Sequence, residues 1–284
     1  MLFPEKLPTI ANVAAGAKVS INMPVGNTYE TLYLLHSGVT LAQLKNIKLE
    51  INGNLVSEWT DGNEIVSLDA HYGRYQEAGI LAIHFKRPEL EVLEKQRFFG
   101  LDTHPAYGMN TVTISIDIDS GATAPKLEAI ADKTQSIGPI NGKVAPNWLT
   151  KLRRFVVPVS ATGQFDIDRI PRPQGASIAA IHLYMPDDGD AGDDCQILKA
   201  DIKIDNTSWH DIDASFAAKL QKANKRNPQT TQSAVIDFIR DGDMTNALYL
   251  RPDIQDMRLR CEAASAGQVV VLVEYVDTYS PTGF

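Results

Sequence analysis

Reactive and cofactor-binding chemistry is scarce in this chain. Two cysteines, Cys195 and Cys261, stand among 284 residues, too few for a disulfide framework, so a reducing compartment is expected with both thiols as ordinary residues. No apolar run approaches the roughly 20 residues of a membrane span; the most apolar stretch, VVVLVEYV at 269–276, has the length of a buried strand. The opening MLFPEKLPTI lacks a charged segment followed by an apolar one, so no signal peptide is expected. Positive charge is in deficit. Lys and Arg number 27 against 35 Asp and Glu, a net charge of −8, which argues against a protein that coats nucleic acid directly. There is no Gly-x-Ser-x-Gly, no Gly-x-Gly-x-x-Gly and no phosphate-binding loop. The histidines, at 36, 71, 84, 104, 182 and 210, show no zinc-ligand spacing with each other or with cysteine. His84 and His182 fall inside strand-like runs and read as structural. No catalytic residue and no cofactor-binding residue is assigned, and metal ligands stay unknown.

What is present is repetition. INMPVGNTYETLYLLH at 21–36 and IPRPQGASIAAIHLYM at 170–185 both open on Ile, place Pro two residues before Gly, and run on into alternating apolar residues. KLEINGN at 48–54 pairs with DIKIDNT at 201–207, ILAIHFKR at 80–87 with SAVIDFIR at 233–240, and NTVTISIDID at 110–119 with QVVVLVEYVD at 268–277. Four matches in one order indicate a duplicated fold, and the length allows two domains that each bury a core. The matched segments read as strands. Ile47, Leu49 and Ile51 alternate with Lys48 and Glu50, and Ile202 and Ile204 with Lys203 and Asp205, a period of two that fixes register because a one-residue slip turns the apolar set outward. Pro24 and Pro173 suit a strand edge, and Gly26 and Gly175 a positive φ or a close backbone approach.

Helical signals are short: 40–46 with Thr40 as N-cap, 88–99 after Pro88, 125–133 after Pro125, and 211–226 with Ile212, Phe216 and Leu220 on one face. Two β-rich halves with small helical insertions indicate all-β architecture, two antiparallel sandwiches or jelly rolls in tandem. The Gly, Pro, Ser and Ala content around 120–147 marks the boundary. The expected division is 1–120 with an N-terminal arm, 121–147 as a linker with a short helix, and 148–284.

One constellation could hold a cation. PDDGDAGDD at 186–194 sets Asp187, Asp188, Asp190, Asp193 and Asp194 around Gly189 and Gly192, oxygens on a tight loop of the kind calcium takes, without the twelve-residue EF-hand pattern; a solvated acidic loop is the plainer reading. Lys151, Arg153 and Arg154 open the second half, and Lys219, Lys222, Lys225 and Arg226 read as a solvated helix face. A carbohydrate-binding or glycosidase-like β-sandwich is the alternative function. It would use a carboxylate pair and exposed aromatics, with Trp59, Trp148 and Trp209 as candidates. Trp59 and Trp209 both follow a repeated strand, which favours equivalent structural packing.

The stretches NVAAGAKVSINMPVGNTYE (12–30), NIKLEINGNLVS (46–57), HFKRPEL (84–90), APKLEAIADK (124–133), APNWLTKLRR (145–154), RPQGASIAAIHL (172–183), IQDMRLR (254–260) and VEYVDTYSPTGF (273–284) span the chain in order. With them the sequence resembles the major capsid protein of corticoviruses, tailless membrane-containing marine bacteriophages. The segments around 60–78 and 187–194 depart from that pattern. The resemblance implies two eight-stranded jelly rolls and no enzymatic activity. It further implies a homotrimer of hexagonal outline that tiles an icosahedral shell over an internal membrane, next to the membrane without spanning it and away from the nucleic acid. Expected partners are neighbouring capsomers, a vertex penton and membrane proteins, with structural calcium in the shell. The virion is the expected location, after synthesis in the host bacterial cytoplasm. Loops such as 60–78 and 186–196 would face outward.

Overall fold

Alternating side chains become strands wherever one face can be buried. The computed structural model describes residues 1–136, 138–139, 143, 146–185, 197–228 and 233–280, in two compact units. The first comprises 1–70, 74–151 and 277–284, the second 71–73 and 152–276.

The first unit takes β1 (Leu2–Lys6), β2 (Lys18–Asn22), β3 (Asn27–Ser37), β4 (Leu44–Ile51), β5 (Asn54–Asp61), β6 (Ile80–His84), β7 (Leu101–Asp102), β8 (Val112–Ile118) and β9 (Lys126–Gln135). The second takes most of β10 (Trp148–Val159), then β11 (Gly163–Ile167), β12 (Ser177–Tyr184), β13 (Ile197–Ile204), β14 (Thr207–Ser208), β15 (Ser233–Asp237), β16 (Leu248–Tyr249), β17 (Met257–Ala263) and β18 (Gly267–Thr278). The first unit orders one sheet β1-β9-β3-β6, with β7 pairing β3, and the other β2-β8-β4-β5. The second orders β10-β18-β12-β15, with β16 pairing β12, and β11-β17-β13-β14. The two orders are the same, strand for strand. Setting aside the two-residue β7 and β16, each unit is a jelly roll of two four-stranded sheets around its own apolar core.

The likeness extends to irregular features. Where β3 pairs with β9 the register shifts between Tyr29 and Thr31, opposite Lys133 and Asp132. Where β12 pairs with β18 it shifts between Ile178 and Ala180, opposite Tyr275 and Glu274. The extra residue turns its carbonyl to the next strand's end in both units: Glu30 O accepts from Phe85 N at 3.0 Å, and Ala179 O from Phe238 N at 3.1 Å. Such a bulge bends its strand and pins register. The Pro-x-Gly turn ahead of each central strand has Gly26 at φ 110° and Gly175 at φ 82°, backbone that a Cβ disfavours. A tyrosine hydroxyl closes each approach, Tyr29 donating to Pro24 O at 2.6 Å and Tyr275 to Pro171 O at 2.7 Å.

The β4–β5 and β13–β14 turns match as well. Asn52 (φ 52°) and Asp205 (φ 47°) are left-handed, as a two-residue hairpin turn requires. Asn52 Oδ1 accepts from Asn110 N at 2.8 Å and Thr111 N at 3.1 Å. Asp205 Oδ1 accepts from Gln255 N at 2.9 Å and Asp256 N at 3.0 Å.

Several expectations are corrected. Segment 110–119 is β8, whose counterpart in sheet order is β17; segment 268–277 lies in β18, the counterpart of β9. Apolar alternation reports a strand's period and not its place in the sheet. The helix expected at 125–133 is β9, so the first unit runs past 120 and the supposed linker helix is absent. Leu, Glu, Ala and Lys favour helix locally, but pairing with β1 on one side and β3 on the other prevails. Within 60–78, expected as loop, lies α1 (Gly62–Tyr72). The helix after Pro88 is only α2 (Leu93–Phe98), and 40–46 holds a single turn, Leu41–Gln43, with Thr40 N donating to Gln43 Oε1 at 2.9 Å. In α3 (Ala214–Ala223) the buried face is Ala217, Ala218 and Gln221; Phe216 is 51% exposed. Among the described residues no helix is long and apolar enough to cross a membrane.

Asn52→Ala removes two backbone-accepting bonds and sets an alanine at positive φ. It should lower stability by about 2 kcal/mol, measured as the denaturant midpoint of the full chain at constant m-value.

Candidate functional site

The residues singled out by sequence do not converge. Asp187, Asp188, Asp190, Asp193 and Asp194 of the acidic stretch, and Cys195, lie outside the described residues. Among the described residues, no group of three or more His, Cys, Asp and Glu side chains is placed to hold a metal ion. Trp59 packs against the first unit's core, while Trp209 is 59% exposed, so the two do not pack equivalently. Cys261 is buried, and burial, with Asp166 and Asp201 nearby, pushes its thiol up to about 12, far from the thiolate a nucleophile needs. Arg226 is not part of a solvated helix face but is buried.

Charge is instead buried in two closed clusters. In the first unit Arg74 donates through Nε and Nη2 to Glu89 at 3.0 and 2.8 Å, and through Nη1 to Asp69 at 3.2 Å. Arg87 Nη1 reaches the same Glu89 at 3.1 Å, and its Nε donates to Thr150 Oγ1 at 3.1 Å. His84 Nε2 lies 3.8 Å from Asp69. Burial alone would raise Glu89, but the two guanidinium groups hold it below the usual carboxylate range. Asp69, less well compensated, is pushed up to about 6 by burial, and burial next to Arg74 takes His84 down to about 3.

The second unit buries a different set. Asp237 Oδ2 accepts from Arg226 Nε at 3.1 Å and lies 3.2 Å from His71 Nε2, while its Oδ1 accepts from Ile239 N at 3.0 Å. Glu274 Oε1 accepts from Tyr72 OH at 3.0 Å and lies 3.0 Å from His182 Nε2. Arg226 stacks 5.3 Å over the Tyr72 ring. Burial holds His71 below the ordinary imidazole value, against the pull of Asp237. These carboxylates are paired with arginine, tyrosine and histidine side chains. The clusters lock each unit's interior, and they offer no exposed acid–base pair to a substrate.

A function carried by the whole chain rather than a cleft agrees with the family models. The model described as viral coat protein P2 N-terminal domain matches residues 4–135, and the P2 C-terminal domain matches residues 149–279. The chain belongs to the viral coat protein P2 family. It is 37% identical over 285 residues to the major capsid protein P2 of Pseudoalteromonas phage PM2, covering 98% of each. The crystal structure of P2 from bacteriophage PM2 superposes with a TM-score of 0.89 at 33% identity over 100% of both chains. Fold alone is shared with STIV MCP (TM-score 0.70, 13% identity, 97% of this chain and 96% of that chain). The same holds for PBCV-1 VP54 (0.67, 10%, 99% and 97%).

This P2 coat chain is therefore a structural virion protein and not an enzyme, a double jelly roll like its neighbours. The coat reading prevails over the sugar-binding alternative. His84 and His182, read from sequence as structural, are both buried and both sit in the ion clusters.

The buried pair Asp69 and His84 sets a pH test. From pH 4 to 6 Asp69 takes up a proton on folding, its folded value of about 6 lying above 3.8, and its contribution falls as pH rises. His84 gives one up, its folded value of about 3 lying below 6.5, and its contribution rises. In the native chain the two contributions oppose each other. Asp69→Asn removes the opposing contribution, so the variant's stability should rise with pH more steeply than the native chain's across this window, by up to about 1.4 kcal/mol per pH unit. Denaturant unfolding at pH 4, 5 and 6 measures it; equal slopes in both proteins would refute the assignment.

Proposed function

We propose that this P2-family coat protein assembles as a homotrimer whose three pairs of jelly rolls present a nearly sixfold outline, and that these capsomers tile an icosahedral shell over an internal membrane. The observation that carries the reading is the identical strand order of the two units, down to the bulges at Glu30 and Ala179. A closed trimer repeats one heterologous contact three times. If each chain brings two domains of one shape, six similar bodies surround the threefold axis, and neighbouring capsomers can meet along similar edges. The resemblance to corticovirus coats supports the remaining parts of the proposal: contacts with a vertex penton and membrane proteins, structural calcium in the shell, and synthesis in the host cytoplasm before incorporation into the virion. The net charge of −8 suits a shell kept from the genome by lipid.

Sedimentation of the purified chain should give a trimer that persists on dilution, because obligate interfaces bury on the order of 2,000–5,000 Å². A monomer at every concentration would count against the capsomer. Chelation should lower the melting temperature of assembled shells more than that of free subunits. Equal melting of both, with and without chelator, would remove calcium from the proposal.

A further inference from the structure

Asn-Gly occurs twice in this chain, at Asn52-Gly53 and at Asn141-Gly142. The second lies outside the described residues. Glycine carries no side chain to shield its backbone nitrogen, so in an unconstrained chain that nitrogen can attack the amide carbon of the asparagine before it. At 52–53 the new bond joins Gly53 N to Asn52 Cγ. The nitrogen's proton passes through solvent to Nδ2, which leaves as ammonia. One water then opens the five-membered imide, to aspartate or to isoaspartate. Water is the only co-reactant, and nothing is oxidised or reduced.

The fold holds this amide at both ends. Asn52 Oδ1 accepts from Asn110 N at 2.8 Å and Thr111 N at 3.1 Å. Its Nδ2 donates to Gly108 O at 2.6 Å and to Tyr279 OH at 2.9 Å. Both hydrogens and both lone pairs are thereby in use. Attack requires Cγ to become tetrahedral over Gly53 N, which swings Oδ1 and Nδ2 out of the amide plane and away from these partners. Gly53 itself is exposed, at φ 78°, with no atom within 4 Å of the place a Cβ would take. What the fold withholds is therefore the asparagine and not the glycine. In the second unit's matching turn, Asp205-Asn206, no glycine follows, and the side chain is already a carboxylate that accepts from Gln255 N and Asp256 N. An aspartate at 52 can keep the two backbone bonds in the same way, and loses the two that Nδ2 donates.

We propose that Asn52-Gly53 is a deamidation site that the native fold keeps closed, with the Tyr279 hydroxyl as its releasable latch. Three of the four contacts are backbone groups of one segment, 108–111. The fourth is a single side chain beyond β18, and rotation of that side chain frees Nδ2 to depart. A coat subunit is not renewed within a particle, so a closed amide preserves the β4–β5 hairpin for as long as the fold stays shut.

The test incubates the full chain at mildly alkaline pH and follows conversion at Asn52 and Asn141 by peptide mapping with mass spectrometry. In denaturant the two sites should convert within about threefold of each other, the dipeptide being the same and only residual structure differing. In the native chain Asn52 should convert at least about tenfold more slowly than in denaturant, because reaction waits on local opening. Tyr279→Phe should speed native conversion at Asn52 about fivefold, the effect of one lost hydrogen bond, and leave Asn141 unchanged. Should that variant fail to fold, the native chain below its denaturant midpoint carries the comparison: conversion at Asn52 should rise ahead of global unfolding. Native conversion within twofold of the denatured rate, or no conversion at Asn52 in denaturant, would overturn the site. A Tyr279→Phe rate less than twofold above native, or conversion that rises only with global unfolding, would overturn the latch.

Discussion

The antiparallel ladder between a central strand and its long neighbour, β3 with β9 and β12 with β18, is the constraint on which the rest depends. One face of each ladder is committed to a core, with Tyr29, Leu32 and Leu34 on the first and Ile178, Ile181 and Leu183 on the second fully buried. A register slip would exchange those side chains for the opposite set, so the pairing is fixed by burial. The bulge at Glu30 or Ala179 then sets where the strand bends, and the bend decides which strand end meets its carbonyl. From that one pairing follow the positions of β6 and β15, of the Pro-x-Gly turns, and of the second sheet that closes each roll.

Much of this was legible in sequence, for physical reasons. The turn-and-strand motif is visible because Pro and Gly are demanded by backbone geometry and the following alternation by the pleat. The β4 and β13 segments are visible because Asn52-Gly53 and Asp205-Asn206 must turn left-handed. Strand β9 was hidden. Its Leu127, Ala129, Ala131 and Lys133 belong to a helix-favouring composition, and only two flanking strands make it extended. Buried Lys133 is accommodated by Glu5 at 2.6 Å and the Tyr29 ring at 5.3 Å, contacts that no local window contains.

The ion clusters were hidden for the same reason. His71 and Asp237 lie 166 residues apart, and Tyr72 and Glu274 lie 202 apart; nothing in either neighbourhood announces a partner. The same holds for Arg74 and Glu89 around α1, whose stretch reads as an irregular insertion. These interiors differ between the units although the sheets agree. The two units share one backbone frame and differ in their polar filling. A shell subunit tolerates that difference, because what neighbours meet is the outline and not the interior.

Strand order repeated within one chain is the property that would suit this coat protein to the proposed pseudo-sixfold capsomer. Electron cryomicroscopy of purified particles, at a resolution that separates sheets, tests that claim most directly. The account predicts six jelly-roll densities around each threefold axis, contributed in pairs by three chains. Capsomers with three such densities, or with two bodies of unlike strand order in each chain, would contradict it.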